Sequence, residues 1–300
     1  MTGKVRAIRP GSIQEVAALI GSFNGNISYV AGGTDLVIAL ENGSQPDLIV
    51  DISRMQELNF IDTDSEAVRI GASTPVSALA EHHDLVANFP VLMQAAEQVG
   101  SVQIRNRATI GGNIASAMPG GDLLPVLKCL DCQIEVLRRD QTMTTHALDE
   151  IVIGVGKTCL DNGDMITAIR IPLQFGRNRI SAFAKIGRRR KLAIARLNLA
   201  VLADYESSTN YINDFRIVAG AIAPVPLRLQ LVEQRLRGRT VNQAFADDFL
   251  QTLTAAVDAA IPGRISQAYK RRAVMGLGLD LMHSLFGKAF MYSERLKQPA

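Results

Sequence analysis

The chain has 300 residues, 47% of them hydrophobic and 20% charged, with a net charge of +3. This is globular composition with material for more than one core; the mild charge and 5% aromatic content argue against a nucleic-acid partner. No run of about 18 apolar residues marks a membrane span, Met1–Arg6 has no apolar signal core, and three cysteines supply neither a disulfide framework nor four cluster thiolates, so a cytoplasmic protein is expected.

Residues 4–9 read as a short strand, and Ser12 as the cap of a helix carrying Ile13, Val16, Ala17 and Ile20 at helical spacing. Ile27–Ala31 is a strand that runs into Gly32-Gly33. Thr34 is expected to cap a helix from Asp35 to Glu41, and Asp47–Asp51 is an apolar strand. This β-α-β-α-β order predicts a small, mainly parallel α/β unit over residues 1–57.

A second unit, 58–175, is mixed α+β. Leu58–Ile61 and Ala67–Ile70 read as strands paired around the acidic turn 62–66. Thr74-Pro75 opens a helix, Leu92–Val99 and Asp122–Leu130 are apolar helices, and Gln133–Leu137 and Met165–Ile171 are strands. Composition shifts near Gln174–Arg179. The third unit, 176–300, has strands at Ser181–Ile186, Leu197–Asp204 and Asp214–Ala221, expected as a three-stranded antiparallel sheet, then helices at Arg228–Leu236, Asn242–Ala260 and Ser266–His283.

Two stretches carry the functional signal: Tyr29-Val-Ala-Gly-Gly-Thr-Asp-Leu36 and Arg105-Asn-Arg-Ala-Thr-Ile-Gly-Gly-Asn113. A glycine pair where a regular element ends permits positive φ and close approach of a ligand, and free N–H groups at such a turn suit a phosphate. Two such turns are positioned to hold one pyrophosphate. Neither is a G-x-G-x-x-G fingerprint.

Other patterns carry no chemistry. Gly154–Thr158 resembles the end of a P-loop, but Ile151 stands where its first glycine belongs. Cys129 and Cys132 straddle the end of an apolar helix and read as a buried structural pair. Arg188–Lys191 reads as a solvated basic face. His82 and His83, being adjacent, cannot form a metal pair, and no catalytic triad or metal set can be read.

Taken together with Ser101–Asn106, Asp122-Leu-Leu-Pro125, Asp164–Pro172, Phe183–Lys185, Ala219–Arg228 and Ala268–Ala273, the two glycine stretches resemble the FAD-binding subunit of molybdenum hydroxylases. That family includes the flavin subunits or domains of xanthine dehydrogenase, aerobic carbon monoxide dehydrogenase and nicotinate dehydrogenase, and the resemblance runs the length of the chain in order. It implies two α/β subdomains of the PCMH-type FAD-binding fold holding FAD between them, with a C-terminal domain closing one side. It also implies a set of contacts. Tyr29, Val30, Ala31, Gly32, Gly33, Thr34, Asp35 and Leu36, with Thr109, Ile110, Gly111, Gly112 and Asn113, would surround the pyrophosphate. Gly100 or Ser101 would lie against the cofactor, and Asp122 would bond a ribityl or ribose hydroxyl. Ile166 would touch the nucleotide or ring, Lys185 and Lys157 would sit near the isoalloxazine or its ribityl arm, and Ile194 would stand by one ring face.

The implied function is electron transfer. Electrons from a molybdenum-cofactor site on a large partner would cross two-iron two-sulfur clusters on a small partner to FAD, and then pass to NAD⁺ or another acceptor. Neither the molybdenum site nor the cluster ligands are in this chain. A stand-alone flavin-dependent reductase of the same broad fold and a non-catalytic binding protein using the basic run are the alternatives. The first would need an acid or nucleophile over the ring, and none is identifiable.

Overall fold

The computed structural model describes residues 5–176, 178–189 and 192–287. The first unit runs β1 (Arg6–Ile8), α1 (Ile13–Ser22), β2 (Ile27–Val30), α2 (Leu36–Glu41) and β3 (Leu48–Asp51), with an all-parallel sheet in the order β1-β3-β2. Ser12 caps α1 by accepting from the Glu15 N–H. Val16 and Ile20, one helical turn apart, are buried with Leu48 and Val50. Thr34 is not the cap of α2. The N-cap is Asp35, which makes no side-chain cap bond. The chain turns at Gly33, φ +77°, and the Thr34 hydroxyl is spent on the Asp35 carboxylate at 3.3 Å.

The second unit contains β4 (Ile61–Thr63), β5 (Ala67–Gly71), α3 (Val76–Glu81), α4 (His83–Asn88), α5 (Pro90–Glu97), α6 (Val102–Arg105), α7 (Ile110–Ser116) and α8 (Leu123–Cys129). It continues through β6 (Gln133–Leu137), β7 (Met143–Ala147), α9 (Leu148–Ile151), the hairpin β8 (Val152–Gly154) and β9 (Lys157–Thr158), and β10 (Met165–Pro172). The sheet is antiparallel, in the order β4-β5-β10-β6-β7. A register shift between Ile166 and Ala168 turns Ile166 and Ile169 to the same core although they are three residues apart. Met165 faces the other way, into the first unit's core. Cys129 and Cys132 are buried and unpaired, and burial raises both thiols far above their ordinary range, which suits the structural role expected of them.

The third unit has β11 (Arg179–Gly187), β12 (Ala195–Glu206), β13 (Tyr211–Gly220), β14 (Leu227–Arg228), α10 (Gln230–Leu236), β15 (Arg239–Thr240), α11 (Gln243–Ala260) and α12 (Gln267–Phe286). The three expected strands are present. Two short ones, β14 and β15, both pair with β13 and make the sheet five-stranded. The α10 helix begins at Gln230 because Leu227 and Arg228 are drawn into that sheet. Both faces of the sheet are buried. Phe183, Ala200, Leu202 and Val218 join the second unit's core, while Ala182, Leu199, Val201 and Ile217 pack under the C-terminal helices. The strand period of two separates the sets.

The first unit is pinned to the second around the β9–β10 turn. Asn162 accepts from Ile27 N–H (2.8 Å) and donates to Gly25 O (2.7 Å), Arg139 donates to Phe23 O (2.6 Å), and the Tyr29 phenol donates to Gly163 O (2.6 Å). Burial, helped by nearby Asp164, pushes that phenol's pKa well up, so it stays a donor.

Candidate functional site

A cleft of about 610 Å³ opens where the first unit meets the second. Tyr29, Val30, Ala31, Gly32, Gly33, Thr34, Asp35 and Leu36 form one wall. Thr109, Gly111, Gly112 and Asn113 form the other, and Ile166 lies between them. The two glycine pairs do different work. Among the described residues, the N–H groups of Gly32, Gly33, Thr34 and Asp35 make no hydrogen bond within the chain. A Cβ on Gly32 would lie 1.8 Å from Arg107 O, so this glycine lets the first turn press against the residues before α7. The second pair has no comparable donors to offer. Ile110 N–H binds Thr74 O, Gly111 N–H binds Ala72 O (2.9 Å), Gly112 N–H binds the Thr109 hydroxyl and Asn113 N–H binds Thr109 O. Its role is to bring backbone close: Gly111 packs on Ala72, and Gly112 is exposed. Among the described residues the Asn113 Oδ1 is buried without a partner, which leaves an acceptor free for a ligand hydroxyl.

A second cavity, of about 950 Å³, lies against the third unit. Gly100, Ser101, Arg105, Lys185, Arg188 and Arg189 line it. Gly100 turns the chain with φ +44°, and Ser101 then caps α6 by accepting from the Ile104 N–H. Lys185 projects from β11 with its side chain only 7% exposed. Its ammonium donates to Asp122 Oδ2 (2.5 Å) and Gln98 O (3.0 Å). The other Asp122 oxygen accepts from Asn198 Nδ2 on β12 at 3.1 Å. Burial raises the Asp122 carboxyl's pKa, opposed by Lys185 and Asn198. An ammonium has three protons, so one remains for the cavity. Residues 100–109 run from this cavity to the cleft, since Gly100 to Val102 line the one and Ala108 and Thr109 line the other.

Four expected residues stand outside both walls. Ile110 is fully buried in the second unit's core. Asp122 lies beneath Lys185. Lys157 is exposed on β9, beside Gly156, which does reach the cleft. Ile194 is 74% exposed, with Gly120 beside it. Of the basic run, Arg188 and Arg189 line the second cavity, and Arg190 and Lys191 lie outside the described residues. Sequence reading overlooked Met118 and Leu160 in the cleft, Arg105 in the second cavity, and Asn198. Asn198 did leave a signal: it is a polar residue inside the apolar run Leu197–Ala203.

The profile of the family described as the FAD binding domain in molybdopterin dehydrogenase matches residues 3–174. The chain belongs to this family. Residues 182–285 match the CO dehydrogenase flavoprotein C-terminal domain. Similar proteins include the glyceraldehyde dehydrogenase medium chain of Sulfolobus acidocaldarius, 29% identical over 89% of this chain and 93% of the relative. The carbon monoxide dehydrogenase medium chain of Hydrogenophaga pseudoflava is 31% identical over 84% of each chain. A solved carbon monoxide dehydrogenase from Hydrogenophaga pseudoflava superposes with a TM-score of 0.82 at 25% identity, covering 95% of this chain and 98% of that one. The chain is therefore the FAD-binding subunit of an oxidoreductase of the molybdenum hydroxylase family.

The cleft suits FAD on its own geometry. Among the described residues no lysine or arginine lines it, so a pyrophosphate there would be met by the free N–H groups of the first turn, as in other backbone anion nests. The orphaned Asn113 oxygen suits a hydroxyl of the same ligand.

Proposed function

We propose that this subunit is an electron relay whose FAD, when bound, takes electrons from two-iron two-sulfur clusters of a small partner subunit, fed by a large molybdenum-cofactor subunit, and gives them to NAD⁺ or another acceptor. The observation that carries this reading is the division of the site: a cleft with no cation among the described residues for the pyrophosphate, and beside it a cavity lined by cations and held by a buried carboxylate. Units 1–57 and 58–175 hold the cofactor, and unit 176–300 supplies the second wall. Tyr29 to Leu36 form one wall, from which Gly32, Gly33, Thr34 and Asp35 offer backbone N–H groups, while Thr109, Gly111, Gly112 and Asn113 close the opposite side. Asp122 orients Lys185 and keeps lone pairs for a ribityl or ribose hydroxyl. Lys185, with Gly100 and Ser101, faces the isoalloxazine end, where a cation favours the reduced, anionic form. Ile166 touches the nucleotide or the ring from β10, and Ile194, exposed beside Gly120, screens acceptor access. The cytoplasm is the compartment proposed, where three unpaired cysteines persist.

The purified chain is expected to be yellow and to carry about one FAD and no FMN. NADH should reduce this flavin in the isolated chain, and the hydroxylase substrate should do so only after both partner subunits are added. Substrate-driven reduction by the isolated chain would favour a stand-alone enzyme instead. Arg188 and Arg189 give the charge-dependent test. Reversing both to glutamate should slow NADH-dependent reduction about tenfold at low salt, with the gap closing as salt rises and FAD staying bound. Rates equal to the parent at every ionic strength would return these arginines to an ordinary solvated face.

A further inference from the structure

Asn198 is fully buried in the middle of β12, and no step of the proposed relay uses it. Its amide is not spent on the sheet. Nδ2 donates to Asp122 Oδ1 (3.1 Å) and to Gly121 O (3.3 Å). Through Asp122 it is one link away from the Lys185 ammonium. The same loop, residues 117–122, is held from the third unit at a second point. Ala221 N–H donates to Pro119 O at 2.9 Å, and Ala221 O accepts from the ammonium of Lys270, a lysine only 9% exposed. Ala117 and Ala221 both sit at positive φ, 45° and 63°, where a side chain is strained unless its surroundings fix it.

We infer that Asn198 is a positioning residue for the flavin: it clamps Asp122 and the loop before it, and so fixes where the Lys185 ammonium points in the second cavity. The inference rests on the placement of the isoalloxazine end beside Lys185 proposed above. A buried carboxylate has two oxygens and a choice of rotamers. With Asn198 holding Oδ1, Oδ2 alone is presented to Lys185, and Gln98 O takes a second ammonium proton, which leaves one direction for the third. Without the amide, Asp122 Oδ1 is an unpaired acceptor in a dry site, and the carboxylate must turn to satisfy it. The apolar neighbours of Asn198 on β12 give the strand no need of an amide for packing, since Leu197 and Leu199 fill the face turned to the helices.

Two measurements test this. In the full chain without FAD, Lys185 should react with acetic anhydride at least about tenfold more slowly than exposed Lys157, because both a carboxylate and a carbonyl hold its ammonium. Equal rates would overturn the clamp without any substitution. The second measurement is a double-mutant cycle on the FAD-loaded chain, read as the equilibrium of its flavin with a reference redox dye. Asn198→Leu keeps the number of side-chain heavy atoms and removes the donor. It should shift that equilibrium toward oxidised flavin on the order of fivefold, and Asn198→Ser, read the same way, serves if the leucine variant does not fold. In a Lys185→Met background the shift should vanish. If Asn198→Leu and Lys185→Met shift the equilibrium additively, Asn198 does not act through Lys185 and the inference falls. If Lys185→Met shifts it while Asn198→Leu alone does not, the clamp fails and the relay stands. If Lys185→Met shifts nothing, the placement of the ring fails, and this inference fails with it.

Discussion

Gly32→Ala is expected to strip the chain of FAD and to lower its thermal midpoint by about 6–12 °C. The added carbon would lie 1.8 Å from Arg107 O and 2.5 Å from its carbonyl carbon. Both are backbone atoms and cannot rotate away, so the first turn must lift off the segment leading into α7, and the cleft opens along the wall that carries its free donors. Neighbouring glycines should respond differently. At Gly33 an alanine has room, its nearest neighbour being a Val37 methyl at 3.5 Å. It must nevertheless take φ +77°, which costs about 1–2 kcal/mol, so FAD should bind more weakly in a chain that still folds. Gly111→Ala would place a carbon 2.7 Å from Ala72 Cβ and 2.8 Å from Ala72 O, and it should destabilise the second unit. Gly43→Ala is the control. It shares the strained φ, at +97°, but has nothing within 4 Å, and its FAD content should match the parent. Flavin absorbance after gel filtration and thermal melts read all four. A Gly32→Ala chain that keeps its colour and its midpoint would mean that the first turn does not need this contact.

The contrast between the two glycine pairs shows where the sequence stops speaking. The letters Gly-Gly license a close approach in both places and do not say what approaches. Gly33 turns toward an open cleft with donors to spare, whereas the donors at Ile110 and Gly111 are claimed by Thr74 and Ala72, residues at the end of β5 whose arrival is a matter of tertiary structure. The same limit explains why α6 goes unread and why Gly111-Gly112, inside α7, reads as a turn: four and seven residues are too short for a helical period to register. The long C-terminal strands were legible because Leu197–Ala203 is apolar at nearly every position, the pattern of a strand covered on both faces. The β14 and β15 strands, two residues each, leave no period at all. Lys185 and Asp122 could each be assigned near the cofactor by resemblance, but their pairing could not. It depends on α8 packing against β12 and β13, which brings Asp122 at its start to Lys185 on β11, and no local pattern reports that.

Asp122→Ala is expected to be the most damaging side-chain truncation in the site, costing about 3–5 kcal/mol of stability, because it leaves the nearly buried Lys185 ammonium with Gln98 O as its one remaining acceptor among the described residues and strips Asn198 of its charged acceptor. The pair itself contributes far less than this loss suggests. Bringing both charges out of water offsets most of their attraction, so replacing both by apolar side chains of similar volume is often close to neutral. The double variant Asp122→Leu with Lys185→Met should therefore melt within a few degrees of the parent, although each single change melts well below it. Function should not follow stability. The double variant lacks the Lys185 ammonium at the second cavity, and its flavin should be harder to reduce than the parent's. That separation is the diagnostic result, because it assigns the ion pair to the flavin and not to the fold. Thermal melts combined with dye-equilibrated flavin reduction on the four proteins of the cycle measure both quantities at once. A double variant that is both stable and unaltered in its flavin equilibrium would leave Lys185 without a role at the cofactor. One that is as unstable as Asp122→Ala would show instead that the carboxylate holds the 117–122 loop in its own right, through Asn198 and independently of the lysine.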